Sequence, residues 1–473
     1  MKQVHLSIRL ALKDDGGAAS LFSRAEIEGA VDQVTAAGRE IERRRGEGSL
    51  AFLDLPYAYD TARPTSFKEV LINAKPQLLE GARHIRECRG QYVHLGIGGS
   101  ALGAITLAKA LAPPCNSGTA AGAEVHIPDN VDPDLIGRLL ARLDPARVFV
   151  NVVSKSGGTV ETVATFAVLR EFLQRAGVTG SELKRRIFVT TNPETGALLE
   201  LARTEGFTVL PLPESVHGRF SIFAPTGLFT AAVAGIDIDA LLEGARAADA
   251  FTAEAPFWQN PAQLLAALHF VGNTQKRLST LILMPYSSPL RTVGDWYSQL
   301  VAESLGKNGQ GMTPVKALGA TDQHSQLQLY NDGPKDKLIV FFAARQHGEI
   351  IRIPSSIASV AEYAHLAGHS LNNLLAAERQ ATEVSLHLHG VPSCVFLLDR
   401  IDPFCVGALL TVLEKTVCIL GELYNVNAFD QPGVEESKAY ARAMLGSVGP
   451  EYDQLRATVT RLCNGDTDSG EGT

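Results

Sequence analysis

Paired cysteines, membrane-length apolar runs and a positive charge excess are all missing from this sequence. Its six cysteines (Cys88, Cys115, Cys394, Cys405, Cys418 and Cys463) are scattered, with no C-x-x-C pair. In a chain of 473 residues that pattern reads as reduced, mostly buried thiols and a cytoplasmic setting. The formal charge of −8 argues against nucleic acid or a membrane surface as partner. No apolar run is read as approaching the ~20 residues of a membrane span. The opening Met1-Lys-Gln-Val-His-Leu lacks the apolar region of a signal peptide. Gly465–Thr473 is small and acidic, and is expected to be a flexible tail. Hydrophobic residues at 45% and charged ones at 20% are those of a soluble globular protein of two or three domains.

The richest stretch is Val148–Thr162. Six mostly apolar residues, the pattern of a parallel strand buried on both faces, end abruptly in Ser154-Lys-Ser-Gly-Gly-Thr159. Open α/β sheets bind ligands at the carboxyl ends of their strands. Here Ser154, Ser156, Thr159 and Thr162 offer hydroxyls, and Gly157 and Gly158 let the backbone approach closely. A helix starting near Thr159 adds free N–H groups and a partial positive charge. The combination predicts an anion site, with phosphate as the best fit.

Elsewhere strands and helices alternate. Strands are predicted at Tyr92–Leu95, Glu124–Ile127, Val148–Val153, Ile187–Thr190 and Thr208–Leu210. After a helical bridge over Ala224–Leu268, a second series follows at Thr280–Met284, Lys337–Phe342, Glu383–His389 and Cys394–Leu398. Helices are predicted at Ala25–Arg45, Ala101–Leu111, Pro133–Leu143, Thr159–Ala176, Thr292–Leu305, Ser359–Ala377 and Pro403–Leu423. The fold class is therefore α/β, with two doubly wound parallel sheets.

Five further blocks carry chemistry. Leu95-Gly-Ile-Gly-Gly-Ser100 looks like a dinucleotide loop, but its glycines are spaced differently and no clear ribose acid follows; Asp129 is the nearest. Gly98, Gly99 and Ser100 then read as a second wall of the phosphate cradle, or simply as a tight turn. Arg219, beside Gly218, can hold a developing oxyanion or make a surface ion pair. Gln299 and Glu303 share a helix face, where Glu303 can act as a general base or pair with Lys307. His324 lies in the polar loop Gly319–Gln326, and Gln431 and Lys438 lie in a loop entering a helix. His365/His369 and His387/His389 have metal-like spacing, but neither shows a third ligand or an H-E-x-x-H frame, so no metal is predicted.

In this order, Gly96–Ser100, Ser154–Thr162, Ser215–Ser221, Gln299–Lys307, Gly319–Ser325 and Phe429–Lys438 resemble the blocks of the glucose-6-phosphate isomerase family, in its bacterial form. The resemblance implies two sugar-isomerase (SIS) domains, no cofactor, and metal-free interconversion of glucose 6-phosphate and fructose 6-phosphate through a cis-enediolate. It implies that Ser100, Ser154, Ser156 and Thr159 hold the phosphate, with Lys155, Gly98 and Gly99 in the same loops. By the same resemblance Glu303 moves the proton between C2 and C1, Arg219 next to Gly218 stabilises the enediolate, and Gln299 and Gln431 orient the sugar. His324 and Lys438 would open the ring, His324 reaching into the partner's site of a homodimer. The implied division is an N-terminal helical extension over 1–60, SIS domains over 61–215 and 269–425 joined by a bridge over 216–268, and a C-terminal loop, helix and tail over 426–473.

One departure is His217, where the family commonly has glycine. Two other readings compete: a non-catalytic SIS regulator that binds sugar phosphate, and an isomerase that also accepts mannose 6-phosphate.

Overall fold

The computed structural model describes residues 3–13, 18–59, 65, 67–112 and 122–463. Cys115, residues 60–64 of the Pro56–Pro64 loop and the tail Gly465–Thr473 lie outside the described residues. Two compact units are present, Met1–Val426 and Asn427–Thr473.

Among the described residues the first unit holds ten strands: β1 Val4–Ser7, β2 Gln91–Leu95, β3 Glu124–His126, β4 Val148–Val153, β5 Ile187–Thr191, β6 Thr208–Pro211, β7 Thr280–Pro285, β8 Thr313–Lys316, β9 Lys337–Gln346 and β10 Ser393–Arg400. One sheet has the order β3-β2-β4-β5-β6, parallel throughout. The other has the order β1-β10-β9-β7-β8, parallel except for β1, which runs antiparallel to β10. Apart from β1, each sheet starts at an inner strand, adds a strand on one side, then crosses to the other side. The switch points lie between β2 and β4 and between β7 and β9, where such sheets leave a crevice.

Every residue of β2, β4 and β5 is buried, because helices cover both faces. On one face Val150, Val152 and Val189 pack with Phe166, Leu169 and Leu173 of the Val160–Arg175 helix. On the other, Phe229 of the Pro225–Val233 helix meets the rings of Tyr92 and Phe188, at 5.6 and 4.7 Å between centroids.

Several expectations need correction. Glu383–His389 is not a strand but the end of the Leu371–Leu388 helix. Its alternation of polar and apolar residues mimics a strand, yet the buried set is Thr382, Glu383 and Leu386, which is helical spacing, while Val384 and Leu388 are exposed. The helix expected from Ser359 begins only at Leu371, after short 3₁₀ turns at Ser355–Ser359 and Ala361–Leu366. Residues 1–60 are not wholly helical, since β1 extends the second sheet. The four-residue edge strand β8 carries Pro314, which an edge position tolerates but which hides the strand in the sequence. Finally, the 21-residue Pro403–Leu423 helix is long and apolar enough to cross a membrane, though 94% of its most apolar window is buried within the protein.

That helix shares a buried ionic cluster with its neighbours. Asp249 accepts from Lys415 Nζ at 2.9 Å, from Arg45 at 2.9 and 3.0 Å, and from the Tyr57 hydroxyl at 2.8 Å. Burial alone would raise the Asp249 pKa, but Lys415 and Arg45 outweigh it and hold the carboxyl below its ordinary range. Lys415 also donates to Glu42 at 2.8 Å and Arg45 to Asp54 at 2.7 Å, so Asp249→Asn takes one of several counter-charges from each cation and is expected to cost about 1–3 kcal/mol in urea unfolding at neutral pH. Because the folded value is depressed, that contribution is present above pH about 4 and fades as pH falls through the folded value. The gap between wild type and variant should therefore narrow on acidification.

Candidate functional site

The strands β2 and β4 are neighbours, with Leu95 opposite Val152, so the loops at their carboxyl ends emerge side by side at the first switch point. Beyond β4, Ser154 Oγ lies 2.9 Å from Thr159 Oγ1, and the Val160–Arg175 helix begins at the next residue. The Thr191 hydroxyl, at the end of β5, donates to the Ser154 carbonyl at 2.7 Å. Gly157 has φ of +68° and lies where a Cβ would come 2.8 Å from Leu198 N, so no other residue fits that turn. The Ser156 hydroxyl accepts from the Gly158 N–H at 3.3 Å. Lys155 donates to the Glu214 carbonyl at 2.7 Å. Burial, followed by the charge of Arg219, draws the Lys155 pKa down against the opposing pull of Glu214.

Beyond β2, Gly98–Ser100 forms a 3₁₀ turn packed on a second one, Gly218–Phe220. A Cβ on Gly99 would stand 2.5 Å from both Arg219 N and Gly218 C, and one on Gly98 would meet Gln299 Nε2 at 3.1 Å. The two turns and the Arg291–Leu305 helix are thus in direct contact. The helix following the first turn, Leu102–Leu111, adds a clamp, since the Thr106 hydroxyl donates to the Thr292 carbonyl at 2.9 Å.

Arg219 is only 3% exposed. Its Nε donates to Ser304 Oγ at 2.8 Å and its Nη1 to Glu303 Oε2 at 3.2 Å, so this is no surface ion pair. Gln299 Nε2 donates to the other carboxylate oxygen of Glu303 at 2.7 Å, while its own Oε1 is buried without a hydrogen-bond partner among the described residues. Lys307, four residues beyond Glu303, donates to the Ser304 carbonyl at 3.1 Å. The assembled chemistry is a carboxylate fixed by a guanidinium and an amide, with an orphaned amide oxygen alongside. Beside it are two hydroxyl- and glycine-rich loops at a sheet crevice.

His324 lies at the start of the Gln323–Asp332 helix, exposed and without a hydrogen bond to the Glu303 group. Gln431 and Lys438 belong to the second unit, at the lead-in to the Pro432–Val434 turn and on the Glu435–Met444 helix, where Lys438 Nζ donates to Glu435 at 2.8 Å. The histidines with metal-like spacing turn ring nitrogens to carbonyls: His365 to Glu362 at 3.0 Å, His387 to Leu10 at 3.1 Å and His389 to Ser385 at 2.8 Å. Ser304 escaped the sequence reading. Its one signal is adjacency to Glu303, and only the fold shows that it receives the arginine.

Two sheets of like strand order, parallel but for β1 and lying in one compact unit, with this candidate site at the first crevice, define a doubly wound α/β protein. The phosphoglucose isomerase family model matches residues 83–455, and the chain belongs to that family. The glucose-6-phosphate isomerase of Carboxydothermus hydrogenoformans is 37% identical over 93% of this chain and 94% of its own length. A glucose-6-phosphate isomerase of Thermus thermophilus is 39% identical over 86% and 94%. A crystal structure of a hypothetical protein from that species superposes with a TM-score of 0.80 at 35% identity, covering 94% of this chain and all of that one. The glucose-6-phosphate isomerase of Chlamydia trachomatis shares the fold, with a TM-score of 0.78 at 22% identity over 95% of this chain and 93% of that one.

The contact at Gly99 gives a direct test. Gly99→Ala must push one backbone off another and is expected to lower stability by about 1–3 kcal/mol. Gly137→Ala, on an exposed helix with nothing within 4 Å, should instead gain about 0.5–1 kcal/mol. Chemical denaturation of the two variants beside wild type measures both.

Proposed function

We propose that this protein interconverts glucose 6-phosphate and fructose 6-phosphate by proton transfer through a cis-enediolate, without a metal. The observation that carries the reading is Glu303, its two oxygens bonded to Arg219 and Gln299 beside the hydroxyl loops of the first sheet. Phosphate binds Ser100, Ser154, Ser156 and Thr159, with the Gly98, Gly99 and Lys155 backbone as the floor of the cradle. Those contacts are remote from the reacting carbons and supply the binding energy that positions them.

Once the sugar is open, Glu303 takes the C2 proton of glucose 6-phosphate. The electron pair moves toward the C1 carbonyl, whose oxygen becomes anionic. Arg219, whose backbone follows Gly218 in the packed turn, faces that charge as a fixed, permanently ionised donor. Glu303 then returns the proton to C1, and transfer of the O2 proton to O1 completes the ketose. The buried Gln299 Oε1 is an acceptor suited to a sugar hydroxyl, which would relieve an unpaired group costing about 1–3 kcal/mol. Gln431 adds a second orienting amide.

Ring opening falls to His324 and Lys438. The exposed place of His324, apart from the Glu303 group, suits donation to the site of a partner in a homodimer. A cytoplasmic setting suits the free thiols of Cys88, Cys394, Cys405, Cys418 and Cys463. A regulator that only binds sugar phosphate would have no use for the assembled base, arginine and amide. Acceptance of mannose 6-phosphate is a question for the assay.

Purified protein should convert fructose 6-phosphate to glucose 6-phosphate at a rate unaffected by EDTA. Glu303→Gln should lower kcat by about 10³-fold or more, with sugar-phosphate affinity nearly unchanged. Normal turnover in that variant would remove Glu303 from the chemistry.

The shared site predicts complementation. Inactive Glu303→Gln and His324→Ala proteins, mixed and allowed to exchange subunits, should regain about a quarter of wild-type activity, because half the dimers then hold one intact site of two. Recovery of nothing would place His324 in its own subunit's site or outside it.

A further inference from the structure

Beneath the Gly98–Ser100 turn lies a buried histidine that none of these roles employs. His94, on β2, is wholly inaccessible, yet both ring nitrogens are engaged. Nε2 is 2.7 Å from the Ser100 carbonyl oxygen, and Nδ1 is 2.9 Å from Thr230 Oγ1 on the Pro225–Val233 helix. Thr230 Oγ1 is in turn 3.0 Å from the Tyr92 hydroxyl.

Donor chemistry fixes the direction of this chain. A carbonyl oxygen only accepts, so Nε2 carries the proton. Neutral imidazole then has a bare Nδ1, which accepts from the Thr230 hydroxyl. The Thr230 oxygen has given its proton away and accepts from Tyr92. Burial draws the His94 pKa down to about 4, so the neutral form persists at physiological pH. The receiving carbonyl belongs to the residue that ends the turn. Ser100 N–H and Ala101 N–H are already spent inside that turn, on Ile97 O at 3.1 Å and Gly98 O at 2.9 Å. The Ser100 hydroxyl makes no hydrogen bond with the described residues, so the turn's main chain is tied down while this side chain is left for a ligand.

We propose that His94 is a positioning residue for sugar-phosphate binding: through the directed chain Tyr92–Thr230–His94 it anchors the Ser100 carbonyl, and thereby holds the Ser100 hydroxyl and the Gly98–Gly99 backbone in place for the phosphate. This rests on the phosphate role proposed above for the turn. A histidine that only filled the core would contribute to stability and leave ligand affinity alone. The anchor acts on a contact that is present before and during the reaction, so its loss should appear in KM rather than kcat.

Three variants separate these roles: His94→Leu, which removes both bonds; His94→Gln, whose amide offers one donor and one acceptor at similar spacing; and Thr230→Val, which deletes only the hydroxyl. Each is measured for kcat and KM with fructose 6-phosphate, for thermal stability, and for the Kd of sorbitol 6-phosphate, an open-chain ligand that cannot isomerise. His94→Leu should raise KM and Kd about tenfold with kcat within about threefold of wild type, the scale of a turn freed from its Ser100 carbonyl anchor. Thr230→Val should raise both about threefold. His94→Gln should restore them to near wild type.

Lower stability with unchanged KM and Kd in His94→Leu would overturn the proposal, as would a glutamine variant as impaired as the leucine one. Should His94→Leu not fold, the Kd of Thr230→Val decides, and an unchanged value overturns it. A wild-type protein that binds sorbitol 6-phosphate but does not isomerise would overturn the proposed reaction, while the Kd comparison would still judge His94.

Discussion

The site depends on one backbone meeting another at Gly99. The turn that ends β2 and the Gly218–Phe220 turn approach so closely that a single added carbon on Gly99 would stand 2.5 Å from two main-chain atoms. From that contact the geometry follows by short links. Arg219 is the second residue of the lower turn, its guanidinium is received by Ser304, and Glu303 is the residue before Ser304. The Gly98–Ser100 turn, the guanidinium and the carboxylate therefore share one frame. A displacement on the order of 1 Å can cost a rate of about a hundredfold, so such a frame is what proton transfer at a fixed carbon requires.

Burying Arg219 has an electrostatic cost, because a guanidinium cannot shed its charge. Its guanidinium donates to the Glu303 carboxylate and to the Ser304 hydroxyl. Glu303 is about 30% exposed on its side chain, so the pair is wet at one end and dry at the other. The same positive field reaches Lys155, whose ammonium turns away to the Glu214 carbonyl.

Most of the fold was legible because two sheets buried on both faces write continuous apolar runs. The span Val148–Val153 and the Pro403–Leu423 helix were read to the residue. Reading failed where a local pattern was overruled. Glu383–His389 alternates like a strand, but burial of Thr382, Glu383 and Leu386 follows a helix. The four-residue edge strands β1 and β8 were missed, and in β8 Pro314 argues locally against a strand. In the site, the loops and the Gln299–Glu303 pair were visible as clusters of chemically matched residues in order. Ser304 and His94 were not, since each acts through a partner more than 80 residues away or through a main-chain carbonyl, neither of which has a sequence signature.

The two sheets share a strand order but end in different residues at their switch points. At the first crevice the strands end in glycines and short hydroxyls, which leave the carboxyl ends open. At the second, β7 runs into Tyr286, which is 1% exposed, with its ring 5.7 Å from that of Phe341 and its hydroxyl bonded to Gln323 at 2.7 Å and Thr382 at 2.9 Å. What the second sheet contributes comes instead from the outer face of the helix that follows β7. On the Arg291–Leu305 helix, Val293, Trp296, Tyr297, Leu300 and Val301 are buried, while Gln299 and Glu303 stay on the half-exposed stripe toward the first sheet's turn. One topology thus supplies a crevice in its first copy and a supporting wall in its second.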